Sequence, residues 1–75
     1  MNIPFKIETQ EDLFRLSTLA SKEDFSIYLS TSSEIFDAKS LLALFTILGK
    51  EVNLTAPDHV DADKFMKFIE KLNKK

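Results

Sequence analysis

The stretch 36–52, FDAKSLLALFTILGKEV, decides the fold. It holds a helix start, an apolar run, a helix stop and the beginning of a strand. Ser40 stands directly before the leucines, where a hydroxyl can accept an amide of the first turn and cap a helix. Leu41, Leu44, Phe45 and Leu48 recur at spacings of three and four, which is one stripe of an amphipathic helix. Gly49, the only glycine of the chain, sits where a left-handed residue ends a helix. Leu42 and Ile47 fall outside the stripe, so this helix is more apolar than its core face requires. Beyond it, EVNLTA turns Val52, Leu54 and Ala56 to one side, which predicts a strand with one buried face.

The same two periods extend in both directions. Ile3, Phe5 and Ile7 alternate with Pro4, Lys6 and Glu8, and a proline near the start suits an edge strand. In TQEDLFRLSTLASK, Thr9 and Asp12 form a capping-box pattern with a shorter acid. Leu13, Leu16, Leu19 and Ala20 give the apolar stripe of a first helix, and Glu11 and Asp12 suit its N-terminal dipole. DFSIYLS turns Phe25, Ile27 and Leu29 to one face and Tyr28 to the other. STSSE supplies turn chemistry, and Ile35 and Phe36 mark a short strand that closes a hairpin. Downstream, Asp61 is the expected N-cap of a third helix lined by Ala62, Phe65, Phe68 or Ile69, and Leu72. Lys71, Lys74 and Lys75 stand at its C-terminal end, where cations are favoured. The order is β-α-β-β-α-β-α. It implies an α+β open-faced sandwich, with a four-stranded antiparallel sheet covered on one face by three helices.

At 75 residues the expectation is a single domain, residues 1–75, burying only about 60% of the surface its unfolded chain exposes. With 44% hydrophobic and 29% charged residues the chain reads as globular rather than disordered. There is no cysteine, hence no disulfide framework and no thiolate zinc site, which fits a reducing cytoplasm. MNIPFKIE lacks the basic and apolar segments of a secretory signal, and no apolar run approaches the about 20 residues needed to span a bilayer. A net charge of −2, with lysines gathered near the C-terminus, argues against a phosphate-backbone partner. Neither nucleic acid nor a membrane is expected as a partner, and no cofactor is called for. The amphipathic tail KFMKFIEKLNKK reads as an ordinary third helix rather than a membrane-surface segment.

The order of elements, together with the AKSLLALFTILGKEV block, resembles the HPr family of phosphocarrier proteins of the bacterial sugar phosphotransferase system. In that family a Lys-Ser pair opens the second helix, and an apolar segment, a strand, an acidic loop and a long third helix follow. Ala38 to Leu72 keeps this pattern. The resemblance implies the HPr-like fold. In the family, a Gly-Leu/Ile-His-Thr/Ala-Arg-Pro-Ala motif between the first strand and helix carries a histidine that accepts and passes on phosphate. Imidazole is a good nucleophile near neutral pH, and a helix N-terminus with an arginine stabilises the added charge. Here the segment reads IETQEDLFRLSTLA, without histidine, proline or glycine. Glu8, Glu11 and Asp12 stand where phosphate would sit. Arg15 falls a turn inside the helix, as a solvated helix-face arginine. No catalytic residue is carried over, and the chain is not expected to be an enzyme.

Ser40 matches the family's regulatory serine, which a dedicated kinase phosphorylates so that the protein binds a transcription regulator. Its plain alternative is a helix cap worth about 1 kcal/mol. A phosphate there would meet the free amides and positive dipole end of the helix, with Lys39 beside it. Lys39, Leu42, Phe45 and Ile47 are the candidate protein-contact residues, Leu42, Phe45 and Ile47 having packing as their alternative role. The one histidine, His59 in PDHVDAD, reads as a solvated loop residue. Asp58, Asp61 and Asp63 around it lack a second histidine, so no metal site is expected. The resulting expectation is an HPr-like interaction or regulatory module that cannot carry phosphate on histidine. The alternatives are a true phosphocarrier component and a self-associating structural domain.

Overall fold

The computed structural model describes residues 2–74, in which the alternating and helical stripes meet in one core. The strands are β1 (Asn2–Lys6), β2 (Tyr28–Ser30), β3 (Ile35–Asp37) and β4 (Glu51–Thr55). The helices are α1 (Gln10–Ser21), α2 (Leu41–Leu44, continued by a 3-10 turn over Phe45–Ile47) and α3 (Ala62–Asn73). The sheet order is β1-β4-β2-β3, and every pairing is antiparallel. The architecture is the α+β open-faced sandwich that the pattern implies.

β1 pairs only with β4, placing Pro4 opposite Asn53 on an edge strand where a missing N–H breaks no second ladder. β2 and β3 form the hairpin, with Leu29 opposite Phe36. Its turn is held by Thr31, whose Oγ1 accepts from the Ser33 and Glu34 amides at 3.3 and 3.1 Å. Ile7, Phe25, Ile27, Leu29, Val52 and Leu54 are buried on the helix-facing side. Tyr28 alternates with them, stays half-buried, and stands in register between Asp37 and Thr55.

Leu13, Leu16 and Ala20 bury the inner face of α1, while Phe65, Phe68, Ile69 and Leu72 bury that of α3. The apolar face of the lysine-rich tail is thus occupied by the core. The capping box at Thr9 and Asp12 is formed in both directions. Asp61 caps α3 by accepting from the Asp63 amide at 2.9 Å. Ala62, expected in the α3 stripe, is exposed, because it lies in the first turn before the helix reaches the core. Lys74 is the C-cap of α3, and Lys75 lies outside the described residues.

The second helix departs from expectation. After one α turn it tightens into the 3-10 geometry of about three residues per turn. Residues three apart then share a face, so Leu44 and Ile47 point into the core. Ile47, expected outside the stripe and a candidate contact residue, is 2% exposed. Phe45 and Leu48, expected inside the stripe, are turned outward. Gly49 ends the segment with φ +86°, and its amide donates to the Ile7 carbonyl at 2.6 Å, tying the end of the 3-10 turn to the exit of β1.

Candidate functional site

Two surfaces hold the residues that the sequence singles out. The first is where the N-terminus of α1 meets the C-terminus of α3. Glu8, Thr9, Glu11, Asp12, Arg15 and Leu72 help line an open depression of ≈ 580 Å³ there. Thr9 Oγ1 accepts from the Asp12 amide at 3.2 Å. Asp12 Oδ2 accepts in return from the amides of Glu8 and Thr9, each at 3.2 Å. The Asp12 amide, one donor that this helix N-terminus would offer to an anion, is thus taken by Thr9, and the Asp12 carboxylate stands at the same turn.

Arg15 does not behave as a solvated arginine. Its Nε donates to the Leu72 carbonyl at 3.2 Å, and its Nη2 donates to the Lys71 carbonyl. Both carbonyls belong to the last turn of α3, the Lys71 oxygen also accepting from the Lys74 amide at 3.3 Å, and the guanidinium faces the negative end of that helix. Arg15 thus fastens α1 to α3. Arg15→Ala is expected to cost about 1.5 kcal/mol, the range of a hydrogen bond to a charged group, and Arg15→Lys to recover part of it. Urea unfolding followed by circular dichroism checks both values. A loss no greater than that of an exposed alanine substitution would remove the fastening role.

The second surface is built by α1 and the α2 segment. The Lys39 amide donates to Asp37 Oδ1 at 2.8 Å, and the Lys39 ammonium reaches the Glu23 carbonyl at 3.2 Å. Ser40 occupies the N-cap position, its amide bonded to the Asp37 carbonyl at 3.0 Å. Its hydroxyl makes no cap bond and the residue is exposed, so the expected side-chain cap is not formed. The turn is instead closed by Asp37, whose side chain and carbonyl both accept. With α2 only one α turn long, the dipole expected to favour a phosphate at Ser40 is correspondingly small.

Leu42 is 83% exposed. Phe45 stands edge-on to Phe14 of α1, with ring centroids 6.0 Å apart at 82°. Leu42 and Phe45 are thus brought onto one side with Phe14 and Leu48, while Ile47 is withdrawn into the core. Phe14 was not among the candidates. A large aromatic falling outside the Leu13, Leu16, Leu19 and Ala20 stripe was the signal that marks it.

His59 is exposed in the connection from β4 to α3. The β1–β4 register pairs Asn2 with Thr55 and Lys6 with Glu51, so this connection is at the opposite end of the sheet from the β1–α1 turn. Among the described residues no cluster of three or more His, Asp or Glu side chains is placed to hold a metal ion. None of the described helices is long and apolar enough to cross a membrane.

This arrangement of four strands and three helices is that of HPr. A solved structure, the crystal structure of HPr-C-His from Thermoanaerobacter tengcongensis, superposes with a TM-score of 0.68, covering 100% of this chain and 98% of its own, at 15% sequence identity. The likeness at that identity is one of fold. No family model matches the sequence, and no curated protein matches it.

Proposed function

We propose that this chain is an HPr-like protein-interaction module that carries no phosphate on histidine and docks through the α1–α2 surface, with Ser40 as a regulatory phosphorylation site. The observation that carries this reading is the placement of its single histidine. His59 stands at the far end of the sheet from the β1–α1 turn, and at that turn the Asp12 carboxylate accepts from the Glu8 and Thr9 amides. Carboxylates at Glu8 and Glu11 add repulsion toward an incoming phosphoryl group.

The exposed, unbonded hydroxyl of Ser40 and the exposed Leu42 and Phe45 beside it support the regulatory half of the reading. The family resemblance makes the kinase and a transcription regulator the partners to seek. On this reading the chain is not an enzyme, works in the cytoplasm, and needs no metal, cofactor, nucleic acid or membrane.

The experiment is incubation with an HPr kinase and ATP, read by intact mass. One added phosphate is expected, and none in Ser40→Ala. Because Ser40 makes no cap bond, Ser40→Ala is expected to change stability by less than about 0.5 kcal/mol. Absence of phosphate in the wild type, together with a clear stability loss in the variant, would reduce Ser40 to a structural residue.

The likeness to HPr-C-His favours a second reading, a phosphocarrier component. It needs an acceptor in the β1–α1 turn, where Thr9 is the one hydroxyl and already serves as the N-cap. Incubation with phosphoenolpyruvate and the phosphotransferase enzyme is expected to leave the mass unchanged, and an acid-labile phosphate would favour the second reading instead.

A further inference from the structure

We draw no further inference here: the strongest candidate, the exposed apolar patch of Phe14, Leu42, Phe45 and Leu48 on α1 and the α2 segment, belongs to the surface already described, and nothing in the structure shows what covers it.

Discussion

Phe68→Ala is expected to be among the most damaging single truncations, lowering stability by about 4 kcal/mol. Phe68 is fully buried on α3 in the cluster that also holds Phe65, Leu13, Leu16 and Leu54. Removing its ring forfeits the transfer free energy of the side chain and leaves a cavity that neighbouring helices fill only in part. A chain of 75 residues has roughly 4–11 kcal/mol to lose, at about 0.05–0.15 kcal/mol per residue. The substitution therefore removes a large share of the total, and a midpoint lowered by on the order of 20 °C is expected. Thermal and urea unfolding followed by circular dichroism read the effect. A loss below about 2 kcal/mol would mean that α3 is held mainly by its polar ends, the Arg15 bonds among them, rather than by its apolar face.

The fold was legible because each sheet residue that faces the helices alternates, and because α1 and α3 each present one apolar stripe. Thr9 and Asp12 were legible as a capping box because all partners lie within one turn of chain. The role of Arg15 was not, since its acceptors Leu72 and Lys71 are 57 and 56 residues away and only the packing of α1 on α3 brings them near. The α2 segment misled for another reason. Over so few residues, about 3.6 and about three residues per turn give nearly the same pattern, and they diverge only by the second turn. That divergence exchanges Ile47 for Phe45 and Leu48 as the outward side chains. Ser40 was correctly placed at a helix start, but the sequence did not reveal that Asp37 would close the turn in its place.

The exchange on α2 yields the second large effect, a contrast between two neighbouring aliphatic residues. Ile47→Ala is expected to cost about 3 kcal/mol, because Ile47 is 2% exposed and shares the core with Leu44. Leu42→Ala is expected to change stability by no more than about 0.5 kcal/mol, because its side chain is 83% exposed and loses little packing. Contact with a protein partner should respond in the opposite sense. Leu42→Ala should weaken it while the chain stays folded, whereas Ile47→Ala should weaken it only in proportion to the fraction unfolded. Urea denaturation and a binding titration with a protein partner of the α1–α2 surface, run on the same two variants, separate these outcomes. Equal stability losses would contradict the burial of Ile47 against Leu44, and the docking surface would have to be redrawn to include Ile47.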